Sequence, residues 1–253
     1  MIQNPTFNLL VICWIATGCI IFPFLLFITA PYGRHASRKW GLTIPNREGW
    51  ILMESPSLIF FLYFILSGNS SMNLTVWIMV ILYCIHYINR AFIYPFRIKT
   101  YGKRMPLLIA ILAIFFNLMN AYLNGYYLGS LQNQYNAAWI SDPRFILGAL
   151  LFLTGMYINI RSDEKLIHLR KNRHNGYQIP YGGLFQFVSC PNFFGEIVEW
   201  LGFAVLCWSL PALSFLIWTL CNLVPRALDH HRWYKKQFTG YPPNRKALFP
   251  FLL

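Results

Sequence analysis

Four carboxylates sit where this chain is otherwise apolar, and their spacing is the first feature that could do chemistry. Glu196 and Glu199 lie in Asn192-Phe-Phe-Gly-Glu-Ile-Val-Glu-Trp200. With 3.6 residues per turn, Asn192, Glu196 and Glu199 share one helical face. A carboxylate at the centre of a bilayer costs roughly 2.5–3.5 kcal/mol by insertion scales. That face is therefore expected to look onto a wet or ligand-filled cavity. Glu54, in Trp50-Ile-Leu-Met-Glu-Ser-Pro-Ser57, stands among apolar neighbours. Protonated it can donate a hydrogen bond, which the ionised form cannot. Tyr87, Arg90 and Tyr94, at i, i+3 and i+7, form a polar stripe on an apolar run. Asn159 and Asp163 share a face at i, i+4, and Arg226, His230 and Tyr234 follow at i, i+4 and i+8. Asp229-His230-His231 has no third spaced ligand, so no metal site is expected.

The elements that must position these groups are membrane helices. Of 253 residues, 57% are hydrophobic and 11% charged, against about 25% charged in a soluble domain. Seven apolar runs are candidate spans: 7–30, 49–66, 74–94, 106–128, 145–160, 193–209 and 211–228. The first lacks the positive start of a signal peptide and reads as a retained anchor. Leu210-Pro211 divides the last two, since proline ends one helix and can begin the next. The expectation is an all-α integral membrane protein with seven transmembrane helices and one domain, 1–253.

Charge sets the orientation. Nineteen of the 21 Lys and Arg residues fall in the loops after spans one, three and five and at the C-terminal end. Loops 67–73 and 129–143 contain none. The positive-inside rule puts the N-terminus outside and the C-terminus in the cytoplasm. A net charge of +13 could suggest nucleic acid, but charges clustered between apolar runs leave no soluble basic face. Five of the six cysteines lie inside apolar runs without paired spacing and read as small buried hydrophobes.

Four spans thus bring amide, carboxylate, imidazole and guanidinium groups to their cytoplasmic ends, beside basic loops. Such a set suits a large anionic ligand, and a nucleotide cofactor fits. Gly-x-Gly-x-x-Gly and Walker motifs are absent, so helices rather than a Rossmann sheet would hold it. A transporter would also place acids on a cavity face, but matched halves with broken helices are not evident.

The chain resembles the steroid 5α-reductase family. The resemblance rests on Gly155-Met-Tyr-Ile-Asn-Ile-Arg-Ser-Asp163, Ile179-Pro-Tyr-Gly-Gly-Leu-Phe185, Asn192 to Trp200, Trp208-Ser-Leu-Pro-Ala212 and Arg245-Lys-Ala-Leu-Phe-Pro250. Sparser matches occur at Pro31-Tyr-Gly-Arg-His35, around Glu54, at His86-Tyr-Ile-Asn-Arg90 and at Gly102-Lys103. It implies NADPH-dependent reduction of the 4,5 double bond of a 3-oxo-Δ4 steroid. By motif, Glu54 and Tyr87 would hold the 3-keto oxygen, and Trp50 and Phe116 would line the steroid slot. Asn159, Asp163, Arg170, Asn192, Glu196, Arg226, His230 and Tyr234 would hold the cofactor, with Tyr32, Arg34 and Lys103 from the loops. Where family members often carry a basic residue this chain has Gln178, and the 97–104 loop also differs. The partners implied are a lipophilic substrate and membrane lipid, and the state implied is a monomer. The membrane would be endoplasmic reticulum in a eukaryote or inner membrane in a bacterium. The alternatives are a reductase of an enoyl thioester or polyprenol and, further off, a methyltransferase using S-adenosylmethionine.

Overall fold

A computed structural model describes residues 4–29, 31, 33–35, 40–100, 102–170 and 177–253. Within them the apolar runs are helices: α1 Pro5–Phe27, α2 Asn46–Leu66, α3 Leu74–Arg97, α4 Leu107–Leu131, α5 Pro143–Leu169, α6 Pro191–Cys207 and α7 Leu210–Gln237. Six are long and apolar enough to cross a membrane. The exception is α6, whose 17 residues include Glu196 and Glu199. Local sequence explains several helix ends. Asn4, Asn73 and Asp142 accept hydrogen bonds from Phe7, Val76 and Arg144 backbone N–H groups, capping α1, α3 and α5. Trp208 takes a left-handed conformation (φ 45°) that stops α6, and Pro211 lies in the first turn of α7, as the Leu210-Pro211 break predicts.

Hydropathy underestimates two helices. α5 continues to Leu169 and α7 to Gln237, past their apolar runs, because both carry the polar groups of the basic end inward. Between the two ends of α3, Asn89–Ile93 form a π-turn. Pro95 follows directly; it has no N–H and crowds the carbonyl four residues back, so a widened turn relieves both problems. The all-α expectation omits one small feature. β1 (Thr43–Pro45) and β2 (Arg104–Pro106) pair antiparallel, with Ile44 opposite Met105. This pairing starts α2 and α4 at a common level.

The bundle is greasy outside and polar within. Leu147, Leu150, Leu153 and Tyr157 of α5 are exposed. Ser57, His86, Asn117, Asn120, Asn124, Asn159, Asp163 and Glu199 are buried. In lipid the hydrophobic effect does not draw helices together, so close packing and hydrogen bonds must. α5 and α6 meet backbone to backbone through glycines. A Cβ on Gly155 would stand 2.2 Å from the Glu199 amide nitrogen, and one on Gly202 would stand 2.3 Å from that of Phe152. Gly148 and Gly195 complete the seam. Of the cysteines, Cys190, Cys207 and Cys221 are buried, whereas Cys13 and Cys19 are exposed on α1. Expecting those two to be buried was wrong, because α1 turns most of its surface outward.

Candidate active site

The seam between α5 and α6 fixes the first part of the site. Asn159 Nδ2 donates to the Asn192 carbonyl (2.9 Å) and reaches Glu196 Oε2 (3.4 Å). Asn192 Nδ2 donates to Asp163 Oδ1 (3.0 Å). Arg90 on α3 closes the cluster. Its guanidinium lies 3.4 Å from Asp163 Oδ2 and 3.8 Å from Glu196 Oε2. Trp50 Nε1 donates to the Arg90 carbonyl (2.9 Å), and the guanidinium lies over the Trp50 and Tyr94 rings.

One turn deeper, His86 Nδ1 and Glu199 Oε1 are 2.8 Å apart, and both residues are buried. α3 and α6 therefore meet as a ladder, Arg90 with Glu196 and His86 with Glu199. The shared face expected for Glu196 and Glu199 is present, and this ladder occupies it.

The second part surrounds Tyr87. Its hydroxyl donates to Asn117 Oδ1 at 3.5 Å and accepts from Asn120 Nδ2 at 3.5 Å. Asn120 also donates to Tyr83 Oη (3.1 Å), which is 2.7 Å from Ser57 Oγ. Asn124 Nδ2 donates to Asn120 Oδ1 (2.9 Å). Glu54, half-buried on α2, interacts with Asn117 and lies in electrostatic reach of Arg90, Glu196 and His86. The two acid–amide groups thus form one polar interior running from Ser57 to Asp163.

Of the remaining expected residues, Lys103, Arg170, Arg226, His230 and Tyr234 lie at the basic end in separate contacts. His230 Nδ1 is 3.1 Å from His35 Nε2, and its ring stacks on Phe193 beside Asn192. Arg226 approaches Gly33, where a Cβ would lie 3.3 Å from Nη2. Lys103 donates to Tyr177 Oη (2.7 Å), and Arg170 lies over the same ring (5.4 Å). Arg170 also acts electrostatically on Asp163, which links it to the first cluster. Tyr234 stacks on Tyr241 of the C-terminal tail. Phe116 packs against Trp14, Phe215 and Trp218. Tyr32 lies outside the described residues, as does the side chain of Arg34. Asp229, His230 and His231 turn to different partners, Arg232, His35 and Ser189.

Sequence reasoning missed the asparagines of α4. Asn117, Asn120 and Asn124 recur at i, i+3 and i+7 in an apolar run, the same signal that singled out Tyr87. It also left Arg90, the hub of the acid cluster, without a role. Two clefts, of about 520 and 560 Å³, flank α5 and the 177–185 segment, and none of the expected site residues lines either one.

Comparison with known proteins identifies the family. The sequence model described as 3-oxo-5-alpha-steroid 4-dehydrogenase matches residues 103–253. The 3-oxo-5-alpha-steroid 4-dehydrogenase 1 of Bos taurus is 41% identical over 94% of this chain and 93% of its own length. The Homo sapiens protein of that name is 42% identical over 94% and 92%. The steroid 5-alpha-reductase DET2 of Arabidopsis thaliana is 42% identical over 90% and 89%. A buried acid–amide network inside a lipid-facing bundle, with this identity along nearly the whole chain, places the protein in the 3-oxo-5-alpha-steroid 4-dehydrogenase family of membrane oxidoreductases.

Proposed function

We propose that the protein reduces the 4,5 double bond of a 3-oxo-Δ4 steroid, with NADPH as reductant. The reading is supported above all by Tyr87 and Glu54 sharing Asn117 within electrostatic reach of the Arg90 cluster. Reduction of an enone at its β-carbon drives negative charge onto the carbonyl oxygen. Glu54, as the neutral acid, and Tyr87 donate hydrogen bonds to that oxygen, and one such donor is worth about 2.7–4 kcal/mol. Asn120 donates to the Tyr87 oxygen, so the Tyr87 proton is its donor, directed at Asn117 Oδ1. The 3.5 Å bond from Tyr87 to Asn117 is long and yields readily to a better acceptor.

The residues at the basic end fit a dinucleotide. Asn159, Asn192, Asp163 and Glu196 offer amide and carboxylate groups for a carboxamide or ribose, and Lys103, Arg170 and Arg226 offer cations for phosphates, joined by Arg34, His230, Tyr234 and Tyr32. NADPH, when bound there, supplies the hydride for C5. Asp163 and Glu196 hold Arg90 between them, which fixes the acid and amide groups that would face the nicotinamide end of the cofactor. The seven-span arrangement, with the N-terminus outside and the basic end in the cytoplasm, belongs to the same proposal. It brings a cytosolic cofactor and a membrane-dissolved substrate to one interior.

The test is loss of nicotinamide absorbance when progesterone or testosterone is added to purified protein with NADPH, with the 5α product identified by mass spectrometry. Steroid left unreduced while an enoyl thioester or polyprenol consumes NADPH would replace the substrate assignment. Glu54→Gln, which can still donate one hydrogen bond, is expected to lose much activity and keep NADPH binding, and Glu54→Ala, which cannot donate, to lower kcat by about 10²-fold, as for a lost oxyanion donor. If Glu54→Ala and Tyr87→Phe both keep wild-type rates, the polarising role is wrong.

A further inference from the structure

The cleft of about 520 Å³ on the outer side of α5 lies away from the polar interior. Tyr157, Ile158, Arg161, Ser162, Lys165 and the 182–185 turn are among its walls. Leu147, Leu150, Leu153, Tyr157 and Arg161 recur every three or four residues and are all exposed, so they form one outward stripe. Four of them are apolar or aromatic, and the stripe then becomes basic. At 1.5 Å per residue, Arg161 lies about 24 Å and Lys165 about 30 Å along the helix from Phe145. The hydrocarbon of a bilayer is also about 30 Å thick. Tyr157, about 18 Å along, is thus still at the depth of the acyl chains, Arg161 approaches the headgroups and Lys165 reaches them.

The charges in the cleft favour an anion. Glu164 is the single acid among its lining residues, and Arg97 and Arg161 both hold it at 3.2 Å. Arg161 is largely exposed and Glu164 half-buried, and an ion pair with one partner so exposed competes weakly with a phosphate. Lys165 reaches across to the Gly182 carbonyl (3.2 Å) and leaves its other protons for an acceptor. A soluble anion has no use for the apolar stripe that leads to these cations, whereas a lipid uses both.

We propose that this cleft binds the phosphate of an anionic phospholipid, whose acyl chains lie along the Leu147–Tyr157 stripe. The site joins α5 to the turn that leads into α6, and it is separate from the catalytic interior. Basic recesses at the cytoplasmic ends of membrane helices hold such headgroups.

The test compares protein in nanodiscs or mixed micelles of phosphatidylglycerol with the same preparation in phosphatidylcholine, scored by lipid retained in native mass spectrometry. Wild-type protein is expected to retain phosphatidylglycerol in roughly thirtyfold preference, as two cations near a lipid phosphate imply. The double variant R161Q/K165Q loses that preference while keeping its melting temperature in phosphatidylcholine. Should the variant fail to fold, the wild type in rising salt decides the matter. An exposed-surface preference vanishes with screening, whereas one seated in the cleft persists in part. Equal retention of the two lipids by wild type overturns the proposal, as does a preference unchanged in the variant. Glycerol 3-phosphate serves as the soluble-phosphate arm; if it displaces the lipid at equal concentration, the acyl stripe plays no part and the lipid assignment is wrong.

Discussion

α5 with α6, and α1 with α7, are both packed helix pairs held in opposite ways. In the first, glycines bring the backbones together, and Asn159 and Asn192 cross the seam. In the second, the contact is made by side chains. The Trp14 and Trp218 rings stack at 4.5 Å, and Trp218 Nε1 donates to the Trp14 carbonyl at 2.9 Å. The difference follows from what each pair carries. α5 and α6 hold four polar groups at distances a few tenths of an ångström would spoil, and backbone contact tolerates no sliding. α1 carries none of the acid cluster, and its indole stack can adapt.

The largest effect should come from breaking the backbone seam. Gly155→Ala sets a Cβ 2.2 Å from the Glu199 backbone nitrogen and should destabilise by about 3 kcal/mol. Thermal melting in detergent should show loss of the folded state. Gly18→Ala is the matching change on α1, where a Cβ meets the Trp218 ring at 3.0 Å. It should lower the melting temperature far less, and equal losses would remove the contrast.

Next come the polar groups that the seam positions. Asn192→Ala and Glu196→Ala should each weaken NADPH binding by about tenfold or more, as for hydrogen bonds involving a charged group. Nucleotide titration showing no change would remove both from the cofactor site. On the other pair, Trp218→Phe keeps a ring and loses the hydrogen bond to Trp14. A loss of about 0.5–1.5 kcal/mol in stability is expected, with activity retained; inactive but stable protein would give α1 a role this comparison denies it.

The smallest effect is at the start of α5, outside the spans. Hydrogen bonds from Arg144 hold the Asp142 carboxyl down to about 2. A carboxyl depressed in the folded state stabilises above its unfolded value, about 3.9, and that contribution fades as pH falls through the folded value. Asp142→Asn should therefore melt slightly below wild type at neutral pH, and the two curves should converge only towards pH 2. Convergence already at pH 5 would contradict the Arg144 contact.

Much of the site could be read from local spacing. Asn159 with Asp163, and Asn192 with Glu196, lie one turn apart on single helices, so helical geometry alone placed each pair on a face. The partners of those faces were not legible. Arg90 meets Asp163 and Glu196 from 73 and 106 positions away, and no periodicity encodes such a contact. Glycine at 148, 155, 195 and 202 is explained only by the facing helix, whose backbone a Cβ at each position would strike. The asparagines of α4 are legible at i, i+3 and i+7, although a neutral amide stands out less from an apolar run than a charge does.

Composition and the placement of Lys and Arg determined a membrane bundle with one basic end, since burial of apolar side chains and exclusion of charge from lipid act on each segment separately. The tertiary structure alone decided which polar faces oppose one another, because buried hydrogen bonds and backbone contacts require atoms from different helices within about 3.5 Å. A one-turn slip of α6 along α5 would leave the sequence's helices intact and separate Asn192 from Asp163.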